Sequence, residues 1–157
     1  MNNEKVVLIT GASSGIGYLT AQMLAKQGYR VYGAARRVER MEPLQVFGVI
    51  PVYLDITDEE SIEKMVDTVI TSAGKIDILI NNAGYGSYGA IENVTISEAR
   101  NQFDVNIFGL ARLVQLVLPY MRNQHSGKII NISSMAGRVT TFMGAWYHAT
   151  KYALEAF

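Results

Sequence analysis

Two side chains near the end of the chain, a tyrosine and a lysine, have the types and spacing needed for proton transfer. The segment Tyr147-His148-Ala149-Thr150-Lys151 places Tyr147 and Lys151 four residues apart, so both would lie on one face of a helix. A free tyrosine has a pKa of about 10 and is a poor base near neutral pH, but a nearby positive charge favours an ionised phenol. The pair could therefore act as a general acid or base, although such pairs are often only surface packing.

A glycine-rich segment near the start of the chain is suited to holding a dinucleotide. The segment 10–17 reads T-G-A-S-S-G-I-G and stands between an apolar run and a helical pattern. Glycines at this place let the backbone turn tightly and approach a pyrophosphate, whose charge the helix N-terminus favours. The spacing departs from the commoner Gly-x-Gly-x-x-Gly, but its position between strand and helix favours dinucleotide binding over an ordinary turn.

The residues that follow the second predicted strand indicate which dinucleotide would bind. An NAD site usually has an acidic residue there, roughly 20 residues beyond the glycines. The segment 33–37 instead reads G-A-A-R-R, without a carboxylate. Arg36 could bind a 2′-phosphate through bidentate hydrogen bonds, although Arg36 and Arg37 could also be solvated surface charges. We therefore expect NADP(H) in preference to NAD(H).

Two further groups of residues follow predicted strands at the sheet edge where ligands bind. Asp55 could accept a hydrogen bond from the adenine amino group, or it could be a turn residue before the next helix. The segment 81–84 reads N-N-A-G. Its amides could tie neighbouring strands together, while Ala83 and Gly84 would let the cofactor come close.

The elements that must position these residues alternate between strand and helix patterns, which predicts a parallel sheet covered on both faces. Predicted strands cover 5–10, 30–35, 49–54, 76–81 and 128–133. Predicted helices cover 15–27, 57–73, 95–123 and a segment from about 145, with an irregular stretch around Pro43. Capping boxes at Thr57 and Thr95 would start two of these helices. In the long helix, Pro119 should introduce a kink near the end. The buried face of this long helix would consist of Phe103, Ile107, Leu110, Val114, Val117 and Met121.

Three polar residues near the predicted site leave alternatives open. Asn106 lies on the buried face of the long helix, where an amide must find partners. It could be a structural amide or a catalytic residue. Ser133 and Ser134 both close the fifth predicted strand. Ser134 lies thirteen residues before Tyr147. This spacing, together with a family pattern, is all that favours Ser134 as the substrate-facing hydroxyl.

Composition excludes several classes of function. The 157 residues are 49% apolar and 18% charged, with fourteen basic and fourteen acidic residues, so neither disorder nor nucleic-acid or membrane-surface binding is expected. There is no cysteine and there are only two scattered histidines, so no metal site is expected. Polar interruptions in the richest apolar stretch, 105–121, exclude a membrane span. These features favour a soluble, cytoplasmic protein.

The final helical pattern stops at Phe157 without a glycine, a proline or a basic terminal turn. A fifth strand left at the edge, apolar on both faces, would also be a liability. We therefore expect residues 1–157 to form one dinucleotide-binding domain that is incomplete at its C-terminal side or completed by another chain.

The ordered motifs resemble those of the short-chain dehydrogenase/reductase superfamily, in its compact branch with Thr-Gly-x-x-x-Gly-x-Gly and Tyr-x-x-x-Lys. The resemblance runs from Val6 to Phe157 and implies a Rossmann-like doubly wound α/β fold with strand order 3-2-1-4-5. It implies that Tyr147 is the acid or base, that Lys151 holds the nicotinamide ribose, that Ser134 orients the substrate oxygen and that Asn106 holds a relay water. The implied cofactor contacts are Gly11, Ser13, Ser14, Gly15, Ile16, Gly17, Arg36, Asp55, Ile56, Asn82, Ala83, Gly84, Tyr147 and Lys151.

The implied activity is hydride transfer between NADP(H) and a small-molecule carbonyl or secondary alcohol, in a homodimer or homotetramer. Family members continue with further strands and a substrate lid, so weak or absent turnover is expected of this chain by itself. The alternative is a nucleotide-binding or assembly module without catalysis. Aromatic residues in 85–89 and 138–146 suggest an apolar substrate, or packing against another segment. Epimerases, dehydratases and enoyl reductases are less consistent with these motif spacings.

Overall fold

A five-stranded parallel sheet in the order β3-β2-β1-β4-β5 lies at the centre of the computed structural model, which describes residues 4–157. The first three residues of the predicted domain lie outside the described residues. The strand order agrees with the prediction. The strands are β1 Val6–Thr10, β2 Arg30–Ala35, β3 Ile50–Tyr53, β4 Ile78–Asn81 and β5 Lys128–Asn131. The helices are α1 Gly15–Lys26, α2 Glu59–Ala73, α3 Ile96–Phe103, α4 Gly109–Asn123 and α5 Ala145–Glu155.

The central strand β1 is buried on both faces, because successive side chains of a strand point to opposite sides. Val6 and Leu8 pack on one side with apolar residues of α2 and α4. Val7 and Ile9 pack on the other side with α1 and the segment that follows β2. Helices therefore cover both faces, and the core lies in two layers around the sheet. None of the helices within residues 4–157 is long and apolar enough to cross a membrane.

The prediction of an irregular stretch around Pro43 is wrong. This part of the chain forms a 3₁₀-helical segment, Val38–Phe47. Met41 and Leu44 are completely buried there against the sheet. Proline lacks an N–H and weakens regular helical bonding, so the local sequence gave little helical signal. Burial of the two apolar side chains supplies the stabilisation instead.

The predicted cap at Thr57 is wrong by one residue. The first residue of α2 is Glu59, and the Asp58 side chain caps it by accepting a hydrogen bond from the Glu60 amide at 3.1 Å. Thr57 instead donates both its backbone N–H and its hydroxyl to Asp55. The threonine is thus occupied by the turn that precedes the helix.

The long helix predicted over 95–123 is interrupted by a π-helical turn, Asp104–Phe108. The predicted cap at Thr95 is confirmed, because its hydroxyl accepts from the Glu98 amide at 3.1 Å. A Cβ atom at Gly109 would overlap the Ile56 carbonyl, so the chain approaches the loop after β3 at this point. Of the predicted buried face, Ile107, Leu110, Val117 and Met121 are buried, while Phe103 and Val114 are half-buried.

Candidate active site

A cleft of about 890 Å³ opens where the parallel strands end. Its walls come from the loops that follow all five strands, from α1 and α5, and from α3 with the π-helical turn after it. Ligands bind at this edge of such sheets, and the volume is typical of small-molecule sites. The residues predicted for the site that line the cleft are Gly11, Ser13, Ser14, Ile16, Arg36, Asp55, Ile56, Asn82, Ala83, Gly84, Tyr147 and Lys151. Gly15, Gly17, Asn106 and Ser134 are not among the lining residues.

The glycines of the first loop serve close packing as well as the cleft. Gly11 has φ +70°, and a Cβ atom there would lie 2.8 Å from Asn82 Nδ2. A Cβ atom at Gly17 would overlap the same amide and the Gly11 carbonyl. Gly15 has φ +57° and open space around it. Tight approach of α1 to the end of β4 is therefore the reason for Gly17. Gly11 combines such an approach with a left-handed backbone, whereas Gly15 only permits a left-handed turn.

Side-chain hydrogen bonds tie the ends of three strands together, as predicted for the segment 81–84. Asn82 Nδ2 donates to the Thr10 carbonyl at 2.9 Å, and Asn81 Nδ2 donates to Asn131 Oδ1 at 2.9 Å. The Thr10 hydroxyl accepts from the amides of Asn82 and Ala83, at 3.1 and 3.0 Å. This clamp fixes the loop after β4 beside the first helix.

The N-terminus of α1 is suited to an anion. Ser14 makes no side-chain capping bond, and the first turn contains no acidic residue. The amides of a first helical turn have no partner within the helix and carry the positive end of its dipole. Ser13, Ser14 and Ile16 line the cleft at this point. These residues fit the pyrophosphate of a dinucleotide.

Asp55 and Arg36 both line the cleft. Asp55 Oδ1 accepts the backbone N–H of Thr57 at 3.0 Å and its hydroxyl at 2.8 Å. Burial acts to raise the pKa of Asp55, but the two bonds from Thr57 and the charge of Arg36 outweigh it and hold the pKa below its ordinary value. Asp55 thus has the turn role that the sequence left open beside the adenine contact, and it is ionised at neutral pH. The Arg36 side chain is exposed.

The tyrosine and lysine lie on α5, as predicted, and both line the cleft. Lys151 is buried, with Nζ 2.9 Å from the Ile132 carbonyl and 5.9 Å from the centroid of the Tyr147 ring. Burial lowers the pKa of Lys151 because the ammonium loses hydration. An ammonium has three N–H groups, so the bond to Ile132 does not exhaust its donors.

Asn106 is 1% exposed and makes three hydrogen bonds from the π-helical turn. Its Oδ1 accepts from the Tyr85 amide at 3.1 Å, and its Nδ2 donates to the Tyr85 carbonyl at 2.8 Å. Nδ2 also donates to the Thr150 hydroxyl at 3.0 Å, and this hydroxyl donates to the Tyr147 carbonyl at 2.8 Å. The side chain thereby joins the loop after β4 to α5, which is the structural role that the sequence left open beside the catalytic one.

The two serines after β5 take different positions. Ser133 lines the cleft. Ser134 begins a 3₁₀ turn, Met135–Gly137, and its Oγ accepts from the Ala136 amide at 3.1 Å. A hydroxyl that accepts one bond can still donate its own proton, so Ser134 retains a donor.

Sequence reasoning missed the roles of two residues that shape the site. Gly86 packs on the catalytic tyrosine candidate, since a Cβ atom there would lie 2.8 Å from Tyr147 Cδ2. Gln102 is completely buried and its Oε1 accepts from the Ser87 amide at 3.1 Å. The available signal for Gln102 was its position four residues before Asn106, a second amide on an apolar helical face.

Among residues 4–157 no cluster of three or more His, Cys, Asp or Glu side chains could hold a metal ion.

The chain matches the model of the family described as short chain dehydrogenase over residues 5–157. It is 42% identical over 154 residues to a 3-ketodihydrosphingosine reductase of Bacteroides thetaiotaomicron, covering 98% of this chain and 55% of that protein. It is 40% identical over 152 residues to a probable short-chain type dehydrogenase/reductase of Helicobacter pylori, covering 97% of this chain and 56% of that protein. The chain therefore spans about half the length of these curated relatives.

Solved structures have the same fold. A short-chain dehydrogenase from Streptomyces avermitilis superposes with a TM-score of 0.95 at 40% identity, over 99% of this chain and 58% of that one. An alcohol dehydrogenase from Thermococcus sibiricus complexed with 5-hydroxy-NADP gives 0.92 at 31% identity, over 98% and 68%. Actinorhodin polyketide ketoreductase with NADPH gives 0.95 at 30% identity, over 100% and 63%.

Proposed function

Since the chain belongs to the short-chain dehydrogenase family, we propose that it is the nucleotide-binding and catalytic part of an NADP(H)-dependent oxidoreductase. Its substrate is a carbonyl compound or the corresponding secondary alcohol. The observation that carries the proposal is the placement of Tyr147 and Lys151 in the same cleft as the N-terminus of α1. A dinucleotide and a proton donor can meet only where these elements share one cavity.

The cofactor would lie along the ends of the strands, with its pyrophosphate at Ser13, Ser14 and Ile16. It supplies the hydride. Arg36 would pair with the 2′-phosphate of NADP(H), in line with the NADP derivatives in the Thermococcus sibiricus and ketoreductase structures. The absence of an acidic residue at the end of β2 supports the same preference.

The chain's own residues handle the proton. In reduction, the Tyr147 hydroxyl would donate its proton to the carbonyl oxygen, so that hydride and proton together give the alcohol; in oxidation the phenolate takes it back. Lys151 would favour the phenolate by its charge and bind the nicotinamide ribose with its remaining donors. The Ser134 hydroxyl would orient the substrate oxygen. Asn106 would hold the relay water through the second lone pair of Oδ1, which its three side-chain hydrogen bonds leave available.

The substrate would be apolar around its carbonyl. The Tyr88 ring, 59% exposed, lies 5.7 Å from the Tyr147 ring, and Phe142, in the loop that precedes α5, is 87% exposed. The similarity to a 3-ketodihydrosphingosine reductase agrees with such a substrate. Exposed Phe108 and Tyr152 lie on elements that would join copies of the chain in a homodimer or homotetramer.

Substitution of Tyr147 by phenylalanine tests the catalytic assignment. Tyr147→Phe should lower turnover at least about a hundredfold, the usual contribution of general acid catalysis, and leave NADPH affinity within about twofold. Tyr53→Phe, at an exposed tyrosine on β3 outside the cleft, is the matched control. NADPH binding is measured by calorimetry, and turnover by NADPH oxidation with a series of ketones, both on a protein that carries this chain. Retention of most of the activity by Tyr147→Phe would falsify the assignment, whereas NADPH binding without any turnover would indicate a binding module.

The cofactor preference depends on Arg36. Arg36→Asp should weaken NADPH binding by about one to two orders of magnitude, as expected for a lost charge-assisted bidentate contact, and leave NADH binding nearly unchanged. Arg40→Asp makes the same charge change on an exposed residue outside the cleft and should alter neither affinity. Equal effects of the two variants would show that only net charge matters.

A further inference from the structure

A buried imidazole with no part in the proposed chemistry lies directly after Tyr147. His148 is 4% exposed. Its Nε2 lies 3.0 Å from the Thr141 amide nitrogen and 3.1 Å from the Thr141 hydroxyl, and its Nδ1 contacts the Gly144 carbonyl. A backbone N–H can only donate and a carbonyl can only accept, so Nε2 is the acceptor and Nδ1 carries the proton. Both ring nitrogens therefore bind one short segment, 141–144.

This segment adopts a turn that its own residues do not favour. Met143 has φ +59°, a left-handed conformation that is uncommon for residues other than glycine. Gly144 has no room for a side chain, since a Cβ atom there would overlap the His148 ring. The imidazole holds both ends of the turn and compensates for this unfavourable backbone conformation.

The same turn is joined to the loop after β4. The Gly89 amide donates to the Met143 carbonyl at 2.8 Å, and a Cβ atom at Gly144 would lie 3.3 Å from Tyr88 Cε1. The Tyr88 ring in turn lies 5.7 Å from the Tyr147 ring, centroid to centroid. The loop therefore lies beside the Tyr147 ring, and the turn packs against the loop.

We propose that His148 is a positioning residue for the substrate. By holding the turn 141–144 at both ends, it fixes the wall that carries Phe142 and Met143 relative to the Tyr147 hydroxyl. It thereby determines which carbonyl compounds reach that hydroxyl. The proposal rests on the oxidoreductase function proposed above.

Three substitutions separate the two hydrogen bonds of the ring. His148→Asn keeps a donor near the position of Nδ1 but has no acceptor at the position of Nε2. His148→Gln can place an acceptor there, and His148→Leu removes both groups. His125→Asn, at an exposed histidine outside the site, is the matched control.

Amide hydrogen exchange reports whether the turn depends on the ring. In His148→Asn and His148→Leu, the Thr141 and Gly89 amides should exchange about five- to tenfold faster, as expected for one lost hydrogen bond. His148→Gln should restore slow exchange at Thr141. Equal exchange rates in all variants would show that the turn holds its position without the imidazole, and would overturn the proposal.

Steady-state kinetics on a protein that carries this chain tests the effect on the substrate. In His148→Asn, KM for the carbonyl substrate should rise about tenfold, with kcat changed less than about threefold and NADPH affinity unchanged. The order of preference among ketones of different apolar bulk should also change, and His148→Gln should recover most of the KM. Gly144→Ala keeps the imidazole but places a Cβ atom against its ring, so the ring and the turn must move apart. It should also raise KM, which covers the case of a poorly folded His148 variant.

The outcomes distinguish this proposal from the previous one. If the wild-type protein binds NADPH and turns over ketones but all variants keep its KM, the positioning role is overturned and the oxidoreductase function stands. If NADPH affinity and kcat fall together with the rise in KM, His148 has a general structural role. That result would also overturn the positioning role. Absence of NADPH binding by the wild-type protein would refute the oxidoreductase function itself, and the substrate role of His148 with it.

Discussion

Asn106→Ala should lower the free energy of unfolding by about 3 kcal/mol. The side chain makes three hydrogen bonds in a site that is 1% exposed, to the Tyr85 amide, the Tyr85 carbonyl and the Thr150 hydroxyl. Each such bond contributes about 1 kcal/mol, and a buried group left without a partner costs about 1–3 kcal/mol. Water can reach Tyr85, which lies at the cleft, so the estimate stays near the sum of the three bonds.

Urea denaturation followed by circular dichroism measures this loss as a lower midpoint at an unchanged slope. For a chain of this size, about 3 kcal/mol corresponds to a fall in Tm of about 6–12 °C. Asn101→Ala, an exposed asparagine on α3, should change stability by less than about 1 kcal/mol. Asn106→Asp keeps the shape but replaces the amide donor by a second oxygen. It should cost at least as much at neutral pH, because a carboxylate would face the Tyr85 carbonyl.

A loss below about 1 kcal/mol in Asn106→Ala would refute this reasoning. It would mean that Tyr85 and Thr150 find other partners when the amide is removed. The link from the loop after β4 to α5 would then not depend on Asn106.

Two other substitutions test the surroundings of the phenol. Burial lowers the pKa of Lys151 below its ordinary value of 10.5, so the unfolded state binds more protons and stability should rise with pH below that value. Lys151→Met should remove this rise, which denaturation midpoints at about pH 8 and pH 10 would show; an identical rise in the variant would contradict it. Gly86→Ala places a Cβ atom 2.8 Å from Tyr147 Cδ2. The displaced ring should reduce turnover about tenfold or more and leave NADPH affinity unchanged. The control Ser87→Ala should change neither. Equal turnover in the two variants would contradict the argument that Gly86 is needed for packing on Tyr147.

Much of the fold follows from local sequence patterns. The alternation of apolar runs and amphipathic segments predicts the parallel sheet, and the strand order 3-2-1-4-5, implied by the family resemblance, is confirmed. The cap at Thr95 and the pairing of strand ends by Asn81 and Asn82 are confirmed as well. These features depend on residues close in sequence, or on amides that must sit where parallel strands end.

Other features could not be predicted because contacts distant in sequence determine them. The π-helical turn arises where Gly109 meets the Ile56 carbonyl, about fifty residues away in the chain. The segment 38–47 becomes helical because Met41 and Leu44 are buried against the sheet. No local pattern distinguishes these outcomes from a continuous helix or an irregular loop.

The site shows the same division. The sequence by itself determined the residue types, their order and the i to i+4 spacing of Tyr147 and Lys151, and through them the family. The tertiary structure alone decided that Lys151 donates to Ile132, that Gly17 accommodates the Asn82 amide and that Gly86 packs on the Tyr147 ring. A motif specifies neighbours along the chain, whereas hydrogen bonds and close packing depend on which distant segments the folded sheet brings into contact.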